Sequence, residues 1–321
     1  MSGLMDSTGS TSGSGPSSAV QQVDLSGRAR PGETIIKTLL MASALLSVIT
    51  TVGILITLII PTIEFFGEVR LLDFLSGTEW RPNDSQNPLY GVLPLVSATF
   101  LITFIALLVA VPLGLGAAMY LSEYASPKVR RRLKPTLELL AGVPSVVYGF
   151  FALAVVTPLL LQDLLSLDVG FTNALSAGLV LGVMIIPTVA SLAEDAMSAV
   201  PLALRQGSLA MGANRMQTTL RVVFPAALSG IAAAIVLGLS RAVGETMIVT
   251  LAAGSLPNLS ANPAEGMQAM TAYIAVTAGG ENPVGSTTYN TLFVVGMLLF
   301  VITLGINMIS IALVRRFRQE Y

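Results

Sequence analysis

Neither cysteine nor histidine occurs among the 321 residues. Their absence excludes disulfide frameworks, Cys/His zinc sites, thiol nucleophiles, histidine-held haem and acid–base chemistry on imidazole. No metal centre and no cofactor is expected. Charge is scarce as well: 11% of residues are charged, against about a quarter in soluble domains. The net charge of -1 is nearly neutral, so only the distribution of charge along the chain is informative. What is abundant is apolar surface, 53% of residues with a mean hydropathy of +0.78. These values describe an integral membrane protein.

The first 22 residues, MSGLMDSTGSTSGSGPSSAVQQ, are rich in Ser, Gly and Thr without apolar periodicity. Residues 1–30 are therefore expected to be a disordered tail. Thr38 to Ile60 is 23 uncharged residues, too long for a leader's apolar region and long enough to cross a bilayer, which takes about 20. Further uncharged runs recur, and an all-α bundle of six transmembrane helices is expected, near 36–60, 91–121, 139–162, 172–194, 226–253 and 288–314. Fourteen of the 17 basic residues fall before the first span, after the second and fourth, and at the C-terminus. An excess of Lys and Arg marks the cytoplasmic side, so both termini are expected inside the plasma (inner) membrane. The basic run KVRRRLK (128–134) is read as a topology anchor beside lipid, not as a nucleic-acid site. Glu138 is expected to pair with Arg132 or Lys134.

Two outer segments stand out. Residues 61–90 carry the single Trp, and residues 253–288 are rich in Gly, Asn and Pro around a possible short helix, EGMQAMTAYIAV. Each is a candidate to meet an external partner or to be a solvated loop. On the cytoplasmic side, residues 198–225 form a long connection within MSAVPLALRQGSLAMGANRMQTTLRVVFP (197–225). Pro201 can open a helix, Gly212 can end it in a left-handed cap, and a second helix restarts before Pro225.

This loop resembles the coupling segment of ABC importer permeases, whose signature reads Glu-Ala-Ala, three residues, Gly, nine residues, Ile, one residue, Leu-Pro. Here the register gives Gln206-Gly207-Ser208, Gly212, Val222 and Phe224-Pro225. The Gly, the Pro and both spacings match, and the Glu-Ala-Ala triplet does not. The sequences WRPNDSQNPLYGVLPLVSAT (80–99), AGVPSVVYGFF (141–151) and GLSRAVGETM (238–247) together resemble the C-type permease of phosphate-specific ABC transporters, from about Ile35 onward. The resemblance implies the type I ABC importer permease fold and import of inorganic phosphate by alternating access. It implies as partners a second, A-type permease in a heterodimer, two ATP-binding subunits inside and a phosphate-binding protein outside. It also implies that Leu202, Ala203, Arg205, Gln206, Gly207, Ser208, Met211 and Gly212 contact the ATPase. Molybdate, tungstate and sulfate permeases share the architecture, and physics alone does not separate these oxyanions.

The candidate substrate pathway rests on charge and backbone breaks. Arg241 and Glu245 lie inside the fifth apolar run, where bare charge costs several kcal/mol on the order of. Spaced four apart, they share one face of a continuous helix, and Gly230, Ala234 and Gly238 form a small-residue ridge that they approximately extend. Two readings are open: a self-neutralising ion pair that holds helices together, or an Arg241 fork suited to oxyanions. In the second, Glu245 either orients Arg241 or accepts a hydrogen bond from protonated phosphate. In the third span, Pro144 removes a backbone donor, and Ser145 and Tyr148 bring hydroxyls to the break. An enzyme is not expected. No GxxxxGK[ST] phosphate cradle is present, no lysine falls in helices two to six, and no pair of central carboxylates is seen; a channel or structural anchor is disfavoured by the long cytoplasmic loop.

Overall fold

A computed structural model describes residues 31–84, 86–280 and 283–317; the tail expected to be disordered, 1–30, lies outside them. The chain divides into two compact units, Met1–Val52 and Gly53–Tyr321. The described part of the first, 31–52, consists of the opening turns of helix α1 (Pro31–Glu68).

In the second unit, the end of α1 leads to α2 (Leu71–Ser76) and a two-stranded antiparallel ribbon, β1 (Trp80–Arg81) and β2 (Leu89–Tyr90), with Trp80 opposite Tyr90. Helix α3 (Leu93–Met119) closes in a π-helical turn, Tyr120–Tyr124. Then come α4 (Pro127–Ala141) and α5 (Ser145–Phe151), the latter running on as a π-helix over Ala152–Leu164. Next are α6 (Ala174–Ser198), α7 (Leu202–Ala210), α8 (Arg215–Thr218), a π turn Thr219–Val223, α9 (Phe224–Ala226) and α10 (Leu228–Val243). A π turn Val249–Ala253, α11 (Met270–Ala278) and α12 (Thr287–Phe317) complete the order.

Among the described residues, five helices are long and apolar enough to cross a bilayer: Thr34–Glu68, Leu93–Tyr124, Ser145–Leu164, Ala174–Ser198 and Thr287–Ala312. A sixth span results when Arg215–Ala226 and Leu228–Val243, which meet at 73°, are taken together. Three spans differ from the sequence expectation, and the first runs past 60 to Glu68. The third span begins at Ser145, not near 139, because Pro144 is extended (φ -57°, ψ 133°) and disfavours helix in the residue before it. Residues 139–141 instead end α4, an amphipathic helix with no fully buried residue. The fifth span is not one rod but is interrupted at 244–246.

Helix α6 sits at the centre. Its Asn173 cap is fully buried and fully occupied: Oδ1 accepts from the Ser176 amide at 2.7 Å, and Nδ2 donates to the Gly170 carbonyl at 2.9 Å and to Thr157 Oγ1 at 3.3 Å. Gly178 and Gly182 admit α3 to close range. A Cβ on Gly178 would lie 2.6 Å from Ile105 Cβ, and one on Gly182 would lie 2.8 Å from the Ala106 carbonyl. On the other flank, Gly230, Ala234, Gly238 and Ala242 of α10 make the small-residue ridge. Gly230 lies against Ala196, and Gly238 against Val189 and Ile185. The ridge therefore faces α6 and continues through buried Ala242, not through Arg241, which is exposed.

Above this core, Phe65, Phe74, Trp80, Tyr90 and Tyr273 pack edge to face; the Trp80 and Tyr273 rings are 5.1 Å apart at 90°. Trp80, from a polar stretch, is 3% exposed. Neither outer segment is a plain solvated loop at this point, since the Trp of the first is a core side chain against α11 of the second. Replacing a buried aromatic by Ala costs about 3–5 kcal/mol. Trp80→Ala is expected to lower thermal stability in detergent by that order, read from the melting curve of the purified protein.

Candidate functional site: a broken fifth span and the helix before it

The stretch Gly238 to Met247 folds as a helix end, a break and a helix start. Helix α10 stops at Val243, Gly244 caps it in a right-handed conformation (φ -90°, ψ -1°), and helix resumes at residue 247. Arg241 occupies the last turn of α10, where the backbone dipole favours a cation. Glu245 Oε1 accepts from the Met247 amide at 3.0 Å and the Ile248 amide at 3.2 Å, capping the next helical stretch where the dipole favours an anion. Each charge thus sits at the helix end that suits its sign.

The expected i, i+4 ion pair is therefore absent. No ion pair joins Arg241 to Glu245 among the described residues, because the break removes the continuous helix on which that spacing depends. Arg241 Nη1 instead donates to Thr188 Oγ1 of α6 at 3.1 Å. A guanidinium carries five N–H donors, and this neutral hydroxyl leaves most of the exposed fork unengaged. The Glu245 carbonyl receives Thr271 Oγ1 of α11 at 2.6 Å, so an outer segment reaches the break. Thr188 and Thr271 escaped the sequence reading, since neither carries a local signal.

Of the third-span candidates, Pro144 caps α5 and Ser145 begins it. Tyr148 Oη donates to the Leu140 carbonyl at 3.0 Å, tying α5 back to α4 and committing that hydroxyl. Gly149 brings α5 onto the stretch after the break: a Cβ there would lie 2.8 Å from Leu251 Cδ1 and 3.2 Å from the Met247 carbonyl. The two backbone breaks are thus neighbours through Gly149, but no hydrogen bond links Ser145 or Tyr148 to Arg241 or Glu245 among the described residues. Tyr148 also lines an apolar cavity of about 510 Å³ with Phe151, Leu160 and Val183. That cavity holds neither charge and offers an anion nothing.

In the loop between the fourth and fifth spans, α7 ends at a turn where Gly212 has φ +87°, a left-handed conformation that favours glycine. Asn214 and Gln217 then form a reciprocal capping box that starts α8. Leu202, Ala203, Gln206, Gly207, Met211 and Gly212 are exposed, Met211 to 89%. The other two predicted contact residues turn inward. Ser208 Oγ lies 3.0 Å from Thr218 Oγ1, and Arg205 pairs with Glu123 at 3.1 Å while donating to the Met197 carbonyl at 2.7 Å.

A second charged cluster had not been anticipated. Glu194 of α6 is fully buried and accepts from Arg130 Nη2, from Lys134 Nζ at 2.8 Å and from Ser198 Oγ at 2.9 Å. Lys134 also reaches Asp195 at 2.6 Å. Lys134 thus pairs with Glu194 and Asp195, not with Glu138. The Asp195 and Glu194 carboxylates hold its ammonium above the usual lysine value. The usable signal was the Glu-Asp dipeptide near the end of a span on the same side as a basic helix. No group of His, Cys, Asp or Glu suited to a metal occurs among the described residues.

Residues 110–319 match the family described as "Binding-protein-dependent transport system inner membrane component". The chain belongs to this family. Among curated members, it is 38% identical over 265 residues to the probable ABC transporter permease protein YqgH of Bacillus subtilis, covering 82% of this chain and 84% of that one. It is 33% identical over 310 residues to the phosphate transport system permease protein PstC of Haemophilus influenzae, covering 89% and 94%. The fold is that of type I ABC importer permeases. It matches a chain of a bacterial alginate ABC transporter with a TM-score of 0.63 at 16% identity, covering 89% of this chain and 96% of the other. It also matches a chain of the inward-facing MetNI methionine ABC transporter with a TM-score of 0.53 at 22% identity, covering 71% and 95%. This family member is a multi-pass membrane transport component.

Two outcomes follow from the geometry. Glu245→Ala should lower stability by about 1 kcal/mol through loss of the cap, and Glu245→Ser should recover most of it, as measured by thermal melting in detergent. Lys134→Met leaves Glu194 with one fewer cation and should cost about 3 kcal/mol. Because the folded lysine value is raised, its contribution is fully present below the ordinary value and lost as pH rises through the folded one. The difference between Lys134→Met and the unmodified protein should therefore stay constant between about pH 6 and 9 and shrink only at higher alkalinity.

Proposed function

We propose that this chain is the C-type permease subunit of an importer that moves inorganic phosphate across the plasma membrane by alternating access, driven by ATP hydrolysed on partner subunits. The observation that carries the reading is Arg241: an exposed guanidinium at a break in a membrane-spanning helix, held by one neutral hydroxyl. A planar donor fork in that setting suits a tetrahedral oxyanion. The relatives named as phosphate transport permeases support phosphate as that oxyanion. Glu245 Oε1 is occupied by backbone amides, which supports a role in shaping the break over one in accepting a hydrogen bond from protonated phosphate. Ser145, Tyr148 and Pro144 then border the route from the third span and leave direct anion contact to Arg241.

The partners follow from the same reading. The outward face of α7, with Leu202, Gln206, Gly207 and Met211, docks one of two ATP-binding subunits on the cytoplasmic side, where the excess of Lys and Arg places both termini. An A-type permease completes the pathway as a heterodimer, and an external phosphate-binding protein delivers the anion. Arg241 is a single cation, which suits transit, since an ion bound too tightly does not leave.

Reconstitution of the assembled transporter in vesicles tests the substrate. Binding-protein-stimulated ATP hydrolysis and uptake are expected with phosphate and not with sulfate or molybdate; stimulation by molybdate instead would move the assignment to another oxyanion. Arg241→Gln should reduce phosphate uptake by about tenfold or more at equal subunit abundance, the order expected when a charge-assisted hydrogen bond is lost. Uptake at the unmodified rate would remove Arg241 from the pathway.

A further inference from the structure

Arg205 is the least exposed charged residue of the cytoplasmic loop, and its position differs from that of a docking contact. Its side chain is 16% exposed and that of its partner Glu123 is 12% exposed. Glu123 lies in the π turn that ends the second span, where Ser122 Oγ also donates to its Oε1 at 3.0 Å. The same guanidinium donates through Nη2 to the Met197 carbonyl, in the last turn of α6, an end that favours a cation. Its Nε is buried without an acceptor among the described residues. Arg205 therefore joins three elements: α7, the end of the second span and the end of the fourth. A nearly buried ion pair contributes little net stability over an apolar contact of the same volume, so stability alone does not account for it.

We infer that the Arg205–Glu123 pair is the strut through which movement of α7 is passed to the membrane helices, Arg205 acting as a positioning residue and not as part of the ATPase contact. The proposal rests on the reading that α7 docks an ATP-binding subunit. Exposed Ala203, Gln206 and Gly207 offer the docking surface on one side of α7, and Arg205, with half-buried Leu204 and Ser208, turns the other side to the bundle. From Met197 the connection runs along α6 itself. Thr188, which holds Arg241, is nine residues earlier on the same helix, roughly 13 Å at 1.5 Å per residue. A displacement of α7 is thus carried by the Arg205–Met197 hydrogen bond and one rigid helix to the cation in the pathway, with the Glu123 pair holding the guanidinium in place and tying it to the second span. Without the strut, α7 can remain docked and move while α6 stays behind.

The test uses the complete transporter with its partner subunits in vesicles, measuring phosphate taken up per ATP hydrolysed. The ratio is independent of how much complex survives folding. Arg205→Met and Glu123→Gln are each expected to lower it by about fivefold or more, the lower end of ordinary coupling between sites. Arg205→Lys, which keeps the charge but loses the second hydrogen bond, should lower it less. Combining Glu123→Arg with Arg205→Glu should raise the ratio several-fold above either single change. An unmoved ratio in the single variants, or a double variant no better than the singles, overturns the strut. Docking is read separately, by co-purification of the ATP-binding subunit with the unmodified chain and with Met211→Asp. If the unmodified chain retains no such subunit, the docking reading falls and the strut with it. If it retains the subunit while the ratio is unmoved, only the strut falls.

Discussion

Close backbone contact along α6 is the constraint from which the larger unit is built. Glycines and alanines on α6 and on the faces opposite it bring α3 and α10 to a separation at which a single added methyl group would collide. In lipid, apolar side chains gain little by leaving their surroundings, so dispersion at such short range and interhelical hydrogen bonds hold helices together. The share of each span that is buried follows this logic: 61% for α6, against 33% for the second span and 11% for the sixth. What lies on α6 is therefore held firmly, and three polar features lie on it: Thr188 under Arg241, Met197 under Arg205, and Glu194 under Arg130 and Lys134.

The charges within the bundle follow two different rules. At the break in the fifth span, each charge is stabilised by the end of a helix and by neutral partners, and the two do not neutralise one another. At the ends of the second and fourth spans, opposite charges are in direct contact, around a fully buried Glu194 and the half-buried Arg205 and Glu123. The first arrangement leaves donors open at Arg241, as a site for a passing anion requires. The second ties elements together: α4, which buries no side chain fully, is fastened through Arg130 and Lys134. Position along the span thus separates charges that are available from charges that are engaged.

Much of this was legible in the sequence where a local rule sufficed. A span is announced by about twenty apolar residues, and the short helix between the fourth and fifth spans by Pro201 before it and Gly212 after it, since both act through their own backbone angles. Pro144, by the same rule, does not interrupt the third span but opens it. The i, i+4 reading of Arg241 and Glu245 failed because it assumed an unbroken helix, and one glycine between them did not announce a break. The Glu194 clamp joins positions 64 and 60 apart, which no local pattern encodes. Trp80 sits in a polar stretch and is buried by aromatic rings brought from α2, β2 and α11, so its place is decided by tertiary packing.

The hydrogen bond from Thr271 to the Glu245 carbonyl links the segment between the fifth and sixth spans to the interruption. A break in a helix leaves backbone groups without their usual partners, and in apolar surroundings each such group costs about 1–3 kcal/mol if unmet. Here the donor comes from α11, at the inner end of the outer segment, and the neighbouring Met270 amide is in turn taken up by Thr99 of α3. The irregular backbone beside Arg241 and the segment that carries α11 are consequently one cooperative element, since withdrawing α11 strands a carbonyl at the break. The shape of the interruption is thus maintained from outside the span that contains it.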